Sequence, residues 1–515
     1  MELNREFTRQ RIISADGVQS AGDYTLSDYQ GDVRKILFSS ATLQDGGRYH
    51  NDDSLDCIGT VTYKIVYMDA EGKITPVSFA SEYELSLKCP SESYVDSDVR
   101  AKISNFSLRL MGPRRFSAKC AIEAEVFVTE RAEHKVEGQF DGVAIEARTA
   151  SVNVATASYA TTDERELAEE LVHLDGAIVD EIEVVVYSVE PVGLSAARTD
   201  GGVSVKAQLC ARALVGVGRE MPHMYECMLD FSAIVPDDDM AEDAALIPSV
   251  NVLSESVTAV PGEDGVSVVV NVIAAAGVSA QHGTPVVLLK DCFSTERGIE
   301  AEDGEFIYTE HIGTRAVCEK FSASFTREAV GAECVRNVLY ETARLKIEGT
   351  VPVEGGANIS GVVQVSAIAC EVAEDGMPAY TPLRFEAPFS VNVNLNGQIP
   401  QNSRQIVRMW VEHPHIDVDE EGVKFSGTIS GYVSAYLDRR EPCIGAISLS
   451  DDSFTHDASV VSVYYPAPGE SLFDVAKKFR KAPMSIAGIN ELNEAACAFD
   501  GASLLSSGVN YLLIK

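Results

Sequence analysis

A short stretch with alternating histidines, EHPHID, contains the side chains best suited to metal chemistry. His413, His415 and Asp417 alternate, so on a β-strand they would project from one face. Two imidazoles and a carboxylate on one face could hold zinc. Strands with this alternation are more often plain exposed faces, so the sequence favours a solvated strand and we expect no metal site.

Other candidate chemistry is weaker. The acidic stretch Pro236–Ala245 lacks the glycine spacing of a calcium loop, which favours a solvated loop. Trp410 alternates with apolar neighbours and is interpreted as a core anchor. Signatures of a nucleophile elbow, a phosphate loop and a zinc-protease helix are missing from the sequence. We therefore expect no enzymatic activity, no catalytic residues and no cofactor, with a paired-carboxylate hydrolase as a distant alternative.

Composition limits the class of protein. A chain of 515 residues exceeds one core, and about 150 residues per domain predicts three or four domains. Hydrophobic content of 45% with 23% charged residues is typical of folded, soluble material. The net charge of −36 argues against nucleic acid as a partner, because nothing would neutralise the phosphates.

Targeting signals and cysteine spacing point to the cytoplasm. The start, MELNREFTRQ, is charged and lacks an apolar core, so we expect no secretory signal. The longest apolar runs are too short for a transmembrane segment. The 11 cysteines contain no CxxC pair, and most are expected to be small core residues in a reducing compartment.

The elements that would position any site are strands, because apolar and polar residues alternate over most of the chain. Two successive hairpins, the first with a glycine-containing turn, recur in three places. The first hairpins of these repeats turn near Gly72, Gly218 and Gly376, about 150 residues apart, which is the size of a domain. One exception is Thr161–Gly176, where Leu167, Leu171 and Leu174 have helical spacing and predict a helix.

The last part of the chain has a different pattern. In GESLFDVAKKF, Ser471 can cap a helix while Asp474 reaches back to it. Leu472, Val475, Ala476 and Phe479 then form one apolar stripe. A second short helix, Pro483–Ile489, would bury Ile486 and Ile489, and VNYLLIK is predicted to pair with VVSVYY. The pattern predicts a compact βααβ unit.

This unit closely resembles a LysM domain, since Gly469, Leu472, Val475–Ala476, Phe479, Ile486 and Asn490 fit the family spacing without a gap. LysM domains bind N-acetylglucosamine-containing glycans in a shallow groove. The resemblance implies a ligand groove at Gly469, Glu470, Ser471, Leu472 and Asn490. The stretch Asn490–Gly508 is longer than the usual second loop of the family.

Basic residues give the unit a second candidate site. From Val461 onward the acidic and basic residues balance, so the net negative charge lies in the strand-rich part of the chain. Lys477, Lys478, Arg480 and Lys481 could form a partner-binding helix that docks an acidic partner. A solvated helix face explains the same residues at least as well.

Repeated β-domains followed by a LysM domain resemble the SPOCS-domain spore coat proteins of endospore-forming bacteria. Ser27–Leu43 and Cys334–Ile347 resemble the first segment of the SPOCS repeat. The resemblance implies a mainly β chain with three tandem SPOCS-like domains (1–148, 149–300 and 301–450) and a LysM domain (461–515).

The same resemblance implies a structural role in spore coat assembly. The LysM domain would bind a coat morphogenetic ATPase or other coat proteins, and the protein would lie in the mother-cell cytoplasm at the forespore surface. The alternative is a peptidoglycan-binding protein whose LysM groove holds glycan and whose β-domains are spacers.

Overall fold

The structure is a computed structural model that describes residues 5–51, 53–89, 93–138, 143–218, 220–237, 240–372, 378–395, 400–454, 460–492 and 503–515. It is mainly β, which confirms the predicted class. Long antiparallel strands make up most of the described residues between 5 and 453, and two short helices follow.

The first strand set covers residues 5–134. It consists of β1 (Arg5–Thr25), β2 (Val33–Asn51), β3 (Ser54–Asp69), β4 (Ile74–Lys88), β5 (Tyr94–Leu110) and β6 (Arg115–His134). One sheet has the order β2-β3-β4 and the other the order β1-β6-β5. The first strand of the set therefore pairs with its last.

The second strand set covers residues 145–294 and repeats this pattern. After the two-residue strand β7 (Glu137–Gly138) come β8 (Ile145–Thr161), β9 (Arg165–Asp175), β10 (Ile182–Thr199), β11 (Gly202–Val217), β12 (His223–Val235), β13 (Ala245–Pro261) and β14 (Gly265–Ser294). The sheets are β10-β11-β12 and β13-β14-β8. β9 pairs with the first part of β14, and β8 pairs with the remainder of that strand.

The third strand set covers residues 297–453. It contains β15 (Arg297–Phe325), β16 (Val335–Val353), β17 (Gly356–Val372), β18 (Pro378–Asn394), β19 (Arg404–Val418) and β20 (Val423–Ser453). The sheets are β16-β17-β18 and β15-β20-β19, and β7 pairs with β20 in parallel. The pairing pattern of the first set thus recurs in the second and third.

The helix predicted over Thr161–Gly176 is wrong. Arg165–Asp175 is the strand β9, antiparallel to β14. The pairing shifts by one residue at Leu171, so a β-bulge interrupts the alternation there. Leu167, Leu171 and Leu174 consequently all pack on the core of the second strand set. The bulge therefore produces the spacing that, in sequence, resembles a helix.

Two of the three predicted hairpin turns lie where the sequence places them, between β3 and β4 and between β11 and β12. Gly72 and Gly218 both have a positive φ, of 86° and 58°, which glycine adopts without steric cost. The third predicted turn, Glu374–Gly376, lies outside the described residues, as does part of the acidic stretch Pro236–Ala245.

The three strand sets share a buried cluster, named here the junction. It contains Leu37 and Phe38 of the first set, Val185 and Val186 of the second, and Leu339 and Tyr340 of the third. Each pair lies at the same place in its set, because the strand pairing shifts at Ile36/Phe38, at Val184/Val186 and at Val338/Tyr340. A bulge in each strand thus turns an additional apolar side chain toward the other two sets.

Buried polar contacts also join the sets. Arg212 of β11 lies 3.7 Å from Glu341 of β16, and both side chains are 4% exposed. Tyr340 donates a hydrogen bond to the Ser188 hydroxyl at 3.0 Å. Burial raises the pKa of Glu341, while the neighbouring Arg212 guanidinium opposes that rise. These pairs fix the orientation of the second set relative to the third, because truncating one partner would leave a buried polar group without its hydrogen-bonding or ionic partner.

Candidate functional site

The last elements form a strand–helix–helix–strand module. They are β21 (Ser462–Tyr464), α1 (Leu472–Phe479), α2 (Pro483–Ile489) and β22 (Leu512–Ile514). β21 and β22 pair antiparallel, with Val463 opposite Leu513. The described parts of residues 460–515 are called the module below, and residues 5–454 are called the body.

The start of α1 confirms the predicted capping box. The Ser471 hydroxyl accepts from the Asp474 backbone N–H at 3.3 Å, and the Asp474 carboxylate accepts from the Ser471 N–H at 3.0 Å. Leu472, Val475 and Ala476 are buried, as the stripe predicts. Arg480 ends the helix in the left-handed region with φ 54°.

α2 begins with Pro483 at its first turn, where the missing N–H costs nothing. Ile486 is buried as predicted, whereas the prediction for Ile489 is wrong, since that side chain is 43% exposed. The helix is only seven residues long and ends at Ile489, so its last side chain lies beyond the module core.

Four of the five predicted groove residues lie in succession before and within the first turn of α1. Gly469 is exposed with φ 88°, while Ser471 and Leu472 are buried. The Glu470 carboxylate accepts from the Tyr464 hydroxyl at 2.9 Å and from the Ala467 N–H at 2.8 Å. The exposed part of this loop is therefore Gly469 and its preceding residues.

Asn490, the fifth groove residue, connects α2 with β22. Its amide donates to the carbonyls of Ile486 and Leu513, both at 2.8 Å, and its oxygen accepts from the Leu513 N–H at 2.7 Å. Its side chain holds the module together. Residues 493–502, which belong to the extended second loop, lie outside the described part.

The predicted basic helix mostly contacts the chain itself. Lys477 pairs with Asp291 of β14 at 2.6 Å, and Lys478 donates to the Tyr464 hydroxyl at 3.0 Å. The Arg480 guanidinium lies 4.7 Å from the centre of the Phe454 ring. Lys481, the last of the group, is half-buried. Lys478 is the exposed member of this group.

A docking contact that the sequence did not reveal joins α1 to the second strand set. Phe293 of β14 is fully buried among the apolar residues of the module. Its ring packs edge-on against Phe473, with centroids 5.2 Å apart. Phe293 and Phe473 are separated by 180 positions in sequence, and no local pattern marks Phe293 as a contact residue.

Charged side chains surround that aromatic pair. Arg148 of β8 donates to the Asp474 carboxylate at 2.5 Å and lies 3.5 Å from Asp291. Its guanidinium also lies 4.7 Å from the Phe473 ring centre. With Lys477 on Asp291, two cations and two carboxylates alternate across the contact. We call Arg148, Asp291, Phe293 and their partners on α1 the latch.

Asp474 serves both the cap and the latch. Burial alone would raise the pKa of its carboxyl, but hydrogen bonds from the Ser471 N–H and hydroxyl, and the Arg148 guanidinium, outweigh that effect. The pKa is therefore held below its ordinary value of 3.8. The carboxylate stays ionised at neutral pH, which keeps both interactions in place.

The remaining sequence candidates are dispersed. His413 has φ 49° at a bulge, and His415 lies 3.9 Å from Glu341. Within the described ranges, no group of three or more His, Cys, Asp or Glu residues is arranged to hold a metal ion. Trp410 is half-buried, and its indole N–H donates to the Glu412 carboxylate at 2.9 Å. It therefore lies near the surface of its sheet and is not the core anchor that the sequence predicted.

Most of the cysteines are small core residues, as predicted. Seven of the ten cysteines in the described part of the chain are buried, and all ten are free thiols. Cys497 lies outside that part. No helix in the described ranges is long and apolar enough to span a membrane.

Comparison with known proteins finds no matching family model, no matching curated protein and no matching solved structure.

Proposed function

We propose that this chain is a non-enzymatic assembly protein of the bacterial endospore coat. The three strand sets would be the SPOCS-like domains predicted at 1–148, 149–300 and 301–450; the strand sets themselves are separated between His134 and Ile145 and between Ser294 and Arg297. The module would be a LysM domain that binds a coat morphogenetic ATPase. The proposed site of action is the forespore surface within the mother cell.

The latch is the observation that carries this proposal. A glycan-binding module on spacers would work on a loose tether, whereas this module shares its core with β14 through Phe293. A module held in one orientation presents its free faces at a fixed position relative to the three strand sets. Several weak contacts to a polymerised partner can then add, because binding at one surface raises the effective concentration at the next.

The alternative function is peptidoglycan binding, and one observation favours it. Gly469 and Ala467 are exposed in the loop that the LysM resemblance assigns to the glycan groove. The Glu470 carboxylate orders that loop through Tyr464 and the Ala467 N–H. A sugar could therefore approach this loop in the docked module.

The full chain should be tested against both ligands, because Phe293 makes the isolated module an unsuitable reagent. We expect purified protein to bind the coat ATPase and to remain in the supernatant when peptidoglycan is sedimented. A fluorescent fusion should form a shell around the forespore. Sedimentation with peptidoglycan and no ATPase binding would instead establish the alternative function.

The variant Lys478→Glu tests the proposed basic site, because Lys478 is the exposed residue of that segment. If the segment docks an acidic partner surface, the variant should bind the ATPase several-fold more weakly. Lys346→Glu in β16 is the matched control, since Lys346 also lies on the exposed surface but far away in sequence. Equal binding by both variants would remove the basic segment from the proposed site.

A further inference from the structure

The ion pair that joins the second and third strand sets has more carboxyl groups around it than cations. Arg212 of β11 lies 3.7 Å from Glu341 of β16, and both side chains are 4% exposed. Within its own sheet, Arg212 is directly opposite Glu226 of β12 and diagonal to Glu190 of β10. Opposite and diagonal residues of a sheet project from the same face, so one guanidinium is shared by carboxyl groups from both sets.

In the described part of the chain, the other permanent cation near this contact is already paired. The Lys64 ammonium of the first set is held by the Glu255 carboxylate, and the Nη2 atom of Arg212 is buried without a hydrogen-bond partner among the described residues. The charged and titratable groups that face the contact are Lys64 of β3, Tyr187 and Glu190 of β10, Cys210 and Arg212 of β11, Glu226 of β12, Glu255 of β13, Tyr340 and Glu341 of β16, and Glu412, His413 and His415 of β19.

Two of these carboxyl groups hold protons more tightly than usual. Burial raises the pKa of Glu190 and of Glu341 above the ordinary value of 4.5. The Arg212 guanidinium and the imidazoles of His413 and His415 only partly offset this rise in pKa. A raised pKa means that the docked sets bind more protons than separated, hydrated sets would. The contribution to docking is therefore fully present below 4.5 and is lost as the pH rises through the raised values.

We propose that the contact between the second and third strand sets responds to protons: it tightens when a proton neutralises Glu190 or Glu341, and it loosens when both are ionised around the single Arg212 guanidinium. A looser contact lets the two sets move relative to each other, together with the surfaces that a partner can contact on them. This response lies within the body, so it does not depend on what the module binds.

The chain carries its own reporter for this contact, because Trp410 is its only tryptophan. The Trp410 indole N–H donates to the Glu412 carboxylate at 2.9 Å. The same carboxylate accepts from the Gly193 N–H of the second set at 3.3 Å. Separation of the two sets would break the bond from Gly193 and open the half-buried indole to solvent. Quenching of the tryptophan fluorescence by acrylamide therefore measures how tightly the sets are docked.

The test follows this quenching in the full chain between about pH 5.5 and about pH 8, where carboxyl groups with raised pKa values titrate. One linked proton can change the docking equilibrium by up to about tenfold per pH unit, so the quenching constant should rise about twofold or more toward the higher pH. Glu190→Gln keeps the shape of the side chain and removes its charge. Quenching in this variant should stay at its low value over the whole range.

Glu146→Gln is the matched control. Burial raises the pKa of Glu146 as well, but that residue lies on β8 opposite Phe293 and does not face the contact. The control should therefore retain the full pH dependence of the unmodified chain. Small-angle X-ray scattering should show a larger radius of gyration at about pH 8 in the unmodified chain and in Glu146→Gln, but not in Glu190→Gln. Circular dichroism at both ends of the pH range verifies that every variant is folded.

Quenching that does not change with pH in the unmodified chain would overturn the proposal. Full pH dependence in both Glu190→Gln and Glu341→Gln would do the same, and its loss in His415→Asn would then assign the response to that imidazole. A change in quenching without a change in the radius of gyration would mark a local rearrangement at Trp410 and would refute movement of the sets. No step uses the ATPase or peptidoglycan, so each outcome is separate from a failure of the proposed function.

Discussion

Removal of the Phe293 ring should release the module from the body. Phe293 is fully buried, and within the described residues its apolar neighbours belong to the module and not to its own strand set. The substitution Phe293→Ala therefore deletes most of the apolar contact across the latch. Arg148 would remain near Phe473 and Asp474 but would lose the aromatic pair that excludes water beside it.

The size of the effect follows from burial. A buried Phe→Ala change costs about 3–5 kcal/mol, of which an edge-to-face pair contributes about 0.5–1.5 kcal/mol. Because this cost falls on the docked state, the free energy for opening α1 should drop by about 3 kcal/mol. Every 1.4 kcal/mol corresponds to a factor of about ten. Hydrogen exchange of the amides of Leu472–Phe479 should therefore accelerate about 100-fold.

The control is Phe425→Ala, which removes an equally buried ring from the core of the third strand set. That variant should lower the global unfolding free energy without selectively accelerating exchange in α1. If Phe293→Ala leaves exchange in α1 within about threefold of the unmodified protein, the module is stable without the latch. The reasoning that the body completes the module core would then be refuted.

Three further predictions concern the latch, the junction and pH. The pKa of Asp474 is lowered in the folded chain, so its contribution to the stability of the docked module is fully present above the ordinary value of 3.8 and is lost as the pH falls through the lower folded value. Asp474→Asn should therefore weaken docking of the module at pH 7. In the same variant, hydrogen exchange of α1 should no longer depend on acid pH in this way. Leu339→Ala should cost about 2–5 kcal/mol in urea unfolding, and exchange should rise in β2 and β10 as well as in β16, because the junction is shared. Burial lowers the pKa of His311 to about 4, so the unfolded chain binds an additional proton between about pH 4 and 6.5. As the pH falls from about 6.5 to about 4, the free energy of unfolding should therefore decrease by at most about 3 kcal/mol. His311→Gln should reduce this dependence of the unfolding free energy on pH.

Local patterns in the sequence predicted the local features of the fold. Alternation predicted the strands, Gly72 and Gly218 predicted turns, and Ser471 with Asp474 predicted the start of α1. These features depend on residues a few positions apart, so sequence spacing reflects them directly. Where a bulge changed the spacing, as at Leu171, the same reasoning predicted a helix in place of β9.

Contacts between distant segments could not be predicted in this way. Nothing near Phe293 distinguishes it from other apolar residues at strand ends, and its partner Phe473 was interpreted only as part of a short helix. The predicted groove residue Asn490 illustrates the same limit. Its position matched a motif, but its three hydrogen bonds connect α2 with β22, and this structural role became visible only from the folded backbone.

The junction and the latch together determine how the chain can act on a partner. Bulges at Leu37, Val185 and Leu339 place each strand set against the other two, so the sets cannot turn independently without exposing that cluster. Phe293 then fixes the module to the second set. A partner that contacts both the module and the body therefore meets two surfaces that are held in a fixed relative position. A tethered module would have to be ordered when a partner binds, whereas this module is already held in place. Less of the binding free energy is therefore lost to conformational entropy.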